Sequence, residues 1–377
     1  MRQPQADPRS RSGRTRRDFL ALGAATGAGV LLSACGSSGS SGSSTSADGT
    51  ATLPWLTWGD HYVPGELQTV ARRTGVTAKP TLIGDNAPTY LKVKQTDGQF
   101  AVVSGDALWL PKYYADGLTT AIDLSAIPVA SQLYAAAREA PILQADGGAY
   151  GFPFAWSTKP VFYNPKHVTV KPDSWEALLS PEYEKKIVLE GDTTGVMTIG
   201  GLAIGAERPF NMTESEIADA KEYLAKLKPN ILKFVSQANE VTRAMSNESA
   251  WIGVANLGLD MQVKEASGVE IEHVIPREGT YGFVDAEQSI RASDSLDAFE
   301  RWIDQAYRAQ WCARNFLEYG RPLFNEAAFR LLVDQGHGEQ AERLLYDRPE
   351  LAFEQTLVGP ADNQQAYTDA FNEIFGS

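Results

Sequence analysis

The sequence of 377 residues is poor in the side chains on which metal and redox chemistry depends. It has two cysteines and four histidines, and the histidines are too scattered along the chain to form a metal-ligand motif. Cys312 is the only cysteine after residue 35, which excludes a disulfide within the body of the protein. Its surroundings, AYRAQWCARNFLE, predict a helix with a buried, inert thiol. We therefore expect no bound metal and no cofactor.

Familiar catalytic motifs are also missing, because the chain has no GxSxG, no HExxH and no P-loop sequence. We expect a protein that is not an enzyme, and a secreted hydrolase with dispersed catalytic residues is the alternative. Basic residues are fewer than acidic ones, 34 against 47, which gives a formal net charge of −13. A nucleic-acid partner is excluded, since it requires a basic surface.

The amino terminus has the composition of an export signal. Six arginines lie in residues 1–18, and the uncharged run Phe19–Ala34 follows, shorter than the roughly 20 residues that span a bilayer. RTRRDFLAL, with Arg16 and Arg17, resembles the twin-arginine export motif, and LLSAC resembles the lipobox of bacterial lipoproteins. These resemblances imply a signal at 1–34, lipidation of Cys35, and a membrane anchor that faces the periplasm or the cell exterior. Plain secretion with cleavage nearby is the alternative.

A tract of glycine and serine separates this signal from the rest of the chain. Such sequences behave as flexible coils, so residues 35–52 are predicted to be a tether that carries a folded body. The remaining length suits two lobes.

Short apolar runs alternate with helical patterns after residue 52, which predicts an α/β protein. The predicted strands are LPWLTW (53–58), FAVV (100–103), KKIVLE (185–190), ILKFV (231–235), AWIGVA (250–255) and VEIEHVI (269–275). Thr213 and Glu216 form a predicted capping box that begins a helix, and SLDAFERWIDQAYRAQ predicts another. The uncharged segment GVMTIGGLAIGA (195–206) predicts a buried helix.

Five segments follow one another in an order that resembles the spermidine/putrescine-binding lipoproteins of ABC importers. They are LTWGDHYVPGELQTVARRTGV (56–76), FAVVSGDALWLPKYYADGLTTAID (100–123), YGFPFAWSTKPVFYN (150–164), SWEALLSPEYEKKIVLEGD (174–192) and VIPREGTYGFVDAEQSI (274–290). The resemblance implies a two-lobed type II periplasmic-binding-protein fold, with a hinge and a ligand cleft between the lobes. Residues 53–155 and about 285–336 would form lobe 1, and residues 156–284 and about 337–377 would form lobe 2.

A polyamine site needs carboxylates for the ammonium groups and an aromatic wall for the methylenes. The resemblance places such side chains at the ends of predicted strands, where clefts of α/β proteins open. The candidate ligand-binding residues are Trp58, Asp60, His61, Tyr62, Asp106, Asp192, Asn256, Phe283 and Asp285.

The chain departs from the family pattern at several of these positions. Gly195 stands where the family has a second carboxylate, and Ala255 and Phe283 stand where it has tryptophans, whereas Asp106 replaces a serine. A bulkier cation, such as a guanidinium or a quaternary ammonium compound, is therefore an open alternative. Each candidate also has a structural alternative: Trp58 as core, and the aspartates as helix caps, turns or solvated loop charges.

The sequence thus predicts a monomeric, membrane-anchored substrate-binding subunit of an ABC importer. Its predicted partners are the ABC permease, the membrane and a small cationic ligand that resembles a polyamine. An anion or neutral solute bound by the same scaffold, and a structural envelope lipoprotein, are the remaining alternatives.

Overall fold

A computed structural model describes residues 50–191, 193–235, 238–359 and 362–376. The predicted export signal with Arg16 and Arg17, the lipidation site Cys35 and the candidate ligand residue Asp192 lie outside the described residues. Within them, no helix combines the length and the apolar character needed to cross a membrane.

The strands confirm the predicted α/β character, since each predicted strand overlaps an observed one. They are β1 (Ala51–Thr57), β2 (Val76–Leu82), β3 (Val102–Asp106), β4 (Thr119–Thr120), β5 (Gln144–Ala145), β6 (Gly148–Ala149), β7 (Phe152–Thr158), β8 (Val161–Tyr163), β9 (Ile187–Glu190), β10 (Ile231–Val235), β11 (Ile252–Val254), β12 (Glu272–Val274), β13 (Tyr281–Ile290) and β14 (Thr356–Leu357).

Helices lie between most of these strands. They are α1 (Pro64–Thr74), α2 (Asn86–Gln95), α3 (Leu110–Ala115), α4 (Ala135–Arg138), α5 (Thr193–Ala203), α6 (Glu214–Leu227), α7 (Ala238–Ser246), α8 (Leu259–Ser267), α9 (Leu296–Ala306), α10 (Ala309–Tyr319), α11 (Glu326–Asp334), α12 (Gly338–Arg343), α13 (Leu351–Glu354) and α14 (Gln364–Phe375).

The predicted helical features are confirmed in detail. The side chain of Thr213 caps α6 while Glu216 reaches back to the Thr213 backbone, which is the complete capping box. The uncharged segment forms the buried helix α5, and Gly200 in it allows close contact with Ala220 of α6. Cys312 is buried in α10, and burial raises the pKa of its thiol.

The first lobe is built on a seven-stranded sheet with a long strand at its centre. The strand order is β14-β13-β3-β1-β2, and β4 and β7 also pair with β13. The strands β1, β2 and β3 run parallel, whereas β13 is antiparallel to β3. This arrangement brings the carboxyl end of β3 against the first half of β13.

The second lobe is built on a five-stranded sheet of order β10-β9-β11-β8-β12. In it, β9, β10 and β11 are parallel, and β8 is antiparallel to its two neighbours. All five strands come from residues 161–274, so the middle of the chain forms this lobe, and the buried residues of α14 complete its core.

The chain crosses between the lobes after β7, after β12 and after β14. The first crossing consists of only two residues, Lys159 and Pro160. The lobe boundaries predicted from the sequence place residues from about 337 onward in lobe 2. In the structure, however, Leu344, Tyr346 and Ala352 pack in the hydrophobic core of lobe 1. Their apolar side chains complete the lobe 1 core, so the final change of lobe comes after β14. The protein thus has the two-lobed α/β fold that the sequence resemblance implied.

Candidate functional site

Two candidate carboxyl groups meet where β3 and β13 pair. Asp106 ends β3, and its antiparallel partner in β13 is Asp285. Directly opposed residues of an antiparallel pair project from the same face of the sheet, about 4.5–5.5 Å apart at Cβ. Both residues are buried, at 7% and 3% exposure. The structure therefore brings together two side chains that are 179 residues apart in the sequence.

Asp106 lies in an environment that favours its neutral form. Burial, and then the charge of Asp285, raise the pKa of the Asp106 carboxyl well above its usual value, against a hydrogen bond that Asn86 Nδ2 donates to Asp106 Oδ2 at 2.6 Å. The raised pKa favours the protonated form of the Asp106 carboxyl beside Asp285. This corner of the site therefore carries less negative charge than its two aspartates suggest.

His61, which follows β1, is completely buried between two carboxylates. Its Nδ1 lies 2.7 Å from Oε1 of Glu287, and its Nε2 lies 3.2 Å from Oδ2 of Asp285. Burial alone would lower the pKa of His61, but the hydrogen bonds to Asp285 and Glu287 outweigh it and raise the pKa. The two contacts thus favour the cationic form of the imidazole, which bridges Asp285 and Glu287.

Glu287 is a site residue that the sequence reasoning missed. It is fully buried, and its Oε2 accepts hydrogen bonds from Trp55 Nε1 at 2.9 Å and from Ser104 Oγ at 2.7 Å. With His61 on the other oxygen, the carboxylate is fully satisfied. Glu287 is two residues after Asp285 in β13, and the alternation of side chains along a strand was the signal that could have predicted it.

A second missed residue, Arg321, brings a fixed positive charge into the site. Its Nη1 lies 3.1 Å from Oδ2 of Asp60 and 3.5 Å from Oδ2 of Asp285, and its guanidinium carbon lies 5.2 Å from the centre of the Phe154 ring. Burial would raise the pKa of Asp60, but the charges of Arg321 and His61 lower it. No spacing or motif around Arg321 marks it in the sequence.

The aromatic candidates line the same region. The Trp58 and His61 rings are 5.1 Å apart, and the Tyr62 ring is 5.7 Å from that of Trp55. Trp58 and Tyr62 are both partly exposed, as a ligand wall requires. Phe283 is also partly exposed and precedes Asp285 by two residues in β13.

Asn256 is the described candidate from the second lobe. It follows β11 and is partly exposed, and the next residue, Leu257, donates its backbone N–H to the carbonyl oxygen of Thr158 at the first crossing. The Oδ1 of Asn256 has no hydrogen-bond partner among the described residues. Asn256 therefore lies beside the junction of the lobes with an unused acceptor.

In chemical terms, four carboxyl groups meet one guanidinium and one imidazole where the ends of β1 and β3 lie beside the middle of β13. The carboxyl groups belong to Asp60, Asp106, Asp285 and Glu287. Acidic groups remain in excess over basic ones, which favours a ligand with positive charge. Among the described residues, no group of histidine, cysteine, aspartate and glutamate side chains has the arrangement of a metal site.

Comparisons with known proteins agree with this architecture. The chain is 27% identical over 342 residues to the spermidine/putrescine-binding periplasmic protein of Escherichia coli (strain K12), covering 88% of this chain and 90% of the relative. It is 22% identical to the putrescine-binding periplasmic protein of Pseudomonas aeruginosa (strain UCBPP-PA14), covering 92% of this chain and 98% of the relative.

Solved structures share the fold at lower identity. A putative spermidine/putrescine ABC transporter from Listeria monocytogenes superposes with a TM-score of 0.70 at 22% identity, covering 86% of this chain and 97% of the other. A periplasmic binding protein from A. tumefaciens B6 in complex with glucopine superposes with a TM-score of 0.63 at 14% identity, covering 86% and 98%.

The family model for bacterial extracellular solute-binding proteins matches residues 73–294, which include strands of both lobes and most of the residues described above. The chain belongs to the bacterial extracellular solute-binding protein family.

Proposed function

We propose that the protein is the substrate-binding lipoprotein of an ABC importer, and that it captures a polyamine or a related small organic cation between its lobes and delivers it to the permease. The observation that carries this proposal is the convergence of four carboxyl groups where the ends of β1 and β3 lie beside the middle of β13. The names of the polyamine-binding relatives support the same ligand class.

The aromatic side chains supply the second requirement of a polyamine site. Trp58, Tyr62 and Phe283 are partly exposed beside the carboxyl groups, where they can cover the methylenes of a ligand and attract its cationic ends. Asp192, placed by the sequence resemblance at the end of β9, would add a carboxylate from lobe 2. No covalent step is needed, and closure of the lobes about a hinge would enclose the ligand.

Export and anchoring are proposed from the sequence alone. Arg16 and Arg17 would direct the chain to the twin-arginine pathway, and acylated Cys35 would hold it at the membrane. Mass spectrometry of the protein from a membrane fraction tests this part: a diacylated cysteine as the first residue supports it, and an unmodified chain in the soluble fraction contradicts it.

A different solute on the same scaffold is the second candidate. It is favoured by Arg321, which places a buried positive charge among the acidic groups. It is also favoured by a protein of the same fold whose structure was solved in complex with glucopine.

Thermal unfolding in the presence of candidate ligands tests the ligand class. The series would contain putrescine, spermidine, choline, arginine and phosphate. A ligand present at 100 times its Kd stabilises the folded state by about 2.7 kcal/mol, which raises the melting temperature by several degrees. We expect that rise with at least one organic cation, and stabilisation by the anion alone would contradict the proposal.

A further inference from the structure

Arg321 occupies the position in the acidic cluster where a cationic ligand would be expected to bind. It follows Gly320, which ends α10 in the left-handed conformation, and its residue exposure is only 7%. One terminal nitrogen, Nη1, lies near both Asp60 and Asp285, and the guanidinium carbon lies 5.2 Å from the centre of the Phe154 ring. The arginine therefore already neutralises two of the carboxylates that a diamine would need.

The remaining hydrogen-bond donors of this guanidinium are unused. Arg321 Nε and Nη2 are buried and have no hydrogen-bond partner among the described residues. A guanidinium presents five N–H donors in a planar fork and has no acceptor, and buried polar groups in folded proteins are normally paired. Paired donors of this geometry match the oxygen of a carbonyl or carboxylate group.

The second lobe contacts the residue that precedes this arginine. Gly258, at the start of α8, approaches Gly320 so closely that a Cβ on Gly258 would lie 3.0 Å from the Gly320 carbonyl oxygen. Asn256 precedes Gly258 by two residues, and Arg321 follows Gly320 directly. Asn256 and Arg321 are therefore each within two residues of this contact between the lobes, and each has buried polar atoms without a partner among the described residues.

We infer that Arg321 determines specificity by selecting a ligand that has one ammonium group and, at its other end, a carbonyl or carboxylate oxygen. Such a ligand is an ω-amino acid or a monoacylated diamine, and the inference rests on the cation-binding function proposed above. The oxygen accepts hydrogen bonds from Arg321, while the ammonium group faces acceptors such as Asn256 Oδ1. A linear diamine instead places an ammonium group against the guanidinium, which repels it.

Three ligands built on the same four-carbon chain test this inference. Putrescine has two ammonium groups, N-acetylputrescine has an amide in place of one of them, and 4-aminobutyrate has a carboxylate in place of one aminomethyl group. By calorimetric titration of the purified chain, we expect N-acetylputrescine or 4-aminobutyrate to bind at least tenfold more tightly than putrescine. Whichever of these two ligands binds more tightly shows whether Arg321 donates its hydrogen bonds to an amide oxygen or to a carboxylate oxygen.

The variant Arg321→Met removes the charge and the donors but keeps a long side chain against Phe154. We expect it to weaken binding of the preferred ligand at least tenfold. We also expect it to tighten binding of putrescine, because Asp60 and Asp285 lose their contacts with the Arg321 guanidinium. Arg314→Met is the matched control, since Arg314 pairs with Glu66 at the surface and its side chain is 63% exposed. The control is expected to keep the wild-type order of affinities.

The inference is overturned if the wild-type chain prefers putrescine, or if folded Arg321→Met keeps the wild-type ratio of affinities. Should the methionine variant fail to fold, Arg321→Lys keeps the charge without the planar fork, and an unchanged ratio in that variant overturns the inference equally. Preference for putrescine would leave the proposed cation-binding function intact. Binding of phosphate and of none of the ammonium compounds would contradict that function as well.

Discussion

The two walls of the candidate site differ in how their polar groups are satisfied. In lobe 1, the buried side chains of His61, Asp285 and Glu287 bind one another, and Arg321 ties Asp60 to the same network. In lobe 2, Asn256 Oδ1 and Glu190 Oε2 are buried oxygens with no partner among the described residues. Most charged atoms of the lobe 1 wall therefore contact one another, with Asp285 Oδ1 and two nitrogens of Arg321 left unpartnered among the described residues, whereas the lobe 2 wall contributes unpartnered acceptors outside that network.

This difference indicates separate tasks for the two walls. A network that is already paired holds its groups in place before a ligand arrives, and such preorganisation lowers the cost of binding. Its members also contribute to folding stability, so substitutions in lobe 1 should change both stability and affinity. Substitutions of the unused acceptors in lobe 2 should change affinity alone.

The largest effect is expected from Glu287→Ala. This change removes the partner of His61 Nδ1 and one acceptor each of Trp55 Nε1 and Ser104 Oγ, and breaking a buried ion pair from one side costs about 3–5 kcal/mol. Urea unfolding monitored by circular dichroism measures the loss. Glu318→Ala, at an exposed position of α10, is the control and should stay within about 0.5 kcal/mol of the wild type. A loss below about 1 kcal/mol for Glu287→Ala would show that the network adds little to folding.

A smaller effect that depends on pH is expected from His61→Gln. The pKa of His61 is raised above 6.5 in the folded protein, so its stabilising contribution is fully present below pH 6.5 and is lost as the pH rises through the folded-state pKa. The difference in melting temperature between wild type and variant should therefore shrink from acidic to alkaline pH. His337→Gln, outside the site, controls for the loss of an imidazole. A difference that grows with pH would contradict the bridging role of His61.

The variant Asp106→Asn is expected to be as stable as the wild type or slightly more stable, in contrast to the two preceding variants. The raised pKa of Asp106 means that the folded state keeps its proton above pH 3.8, so wild-type stability falls as the pH rises from there toward the folded-state pKa. Asparagine removes this term while it preserves the shape of the side chain. Near neutral pH the variant should melt at the same temperature as the wild type or a few degrees higher. Marked destabilisation at that pH would show that the charged form of Asp106 is the one the fold requires.

The smallest effect on stability is expected from Asn256→Ala. Its Oδ1 has no partner to lose among the described residues, so the free energy of unfolding should change by less than about 0.5 kcal/mol. Affinity for the ligand should fall about tenfold, as expected for one hydrogen bond to a charged group. Urea unfolding and calorimetric titration of the same preparation separate the two effects. Equal losses in stability and affinity would remove the distinction between the walls.

Much of the fold could be predicted because local patterns determine it. The apolar runs that became β1, β9 and β10 and the capping box of α6 are properties of neighbouring residues. The boundary of the second lobe near residue 337 was less predictable. Apolar residues such as Leu344 and Tyr346 would suit the core of either lobe, and only the tertiary fold assigns them to lobe 1.

The site could be predicted only in part for a similar reason. Asp60 and His61 follow β1 and Asp106 ends β3, and strand ends are where such folds bind ligands, whereas Asp285 lies within β13. Arg321 and Phe154 carry no such signal, because what places them is contact between segments distant in sequence. The pairing of Asp106 with Asp285, and hence part of the raised pKa of Asp106, also depends on strand order that the sequence does not reveal.

We propose that acidic groups of lobe 1 bind a positively charged ligand. Titration of the variant Asp285→Asn with that ligand is the sharpest test of the proposal. The stabilising cation identified by thermal unfolding would be titrated calorimetrically into folded Asp285→Asn and into Asp297→Asn, a control at an exposed position of α9. A hydrogen bond to a charged group contributes about 1.5–3 kcal/mol, so the account predicts a Kd at least tenfold higher for Asp285→Asn and unchanged for the control. A folded Asp285→Asn chain that binds the cation with wild-type affinity would contradict it.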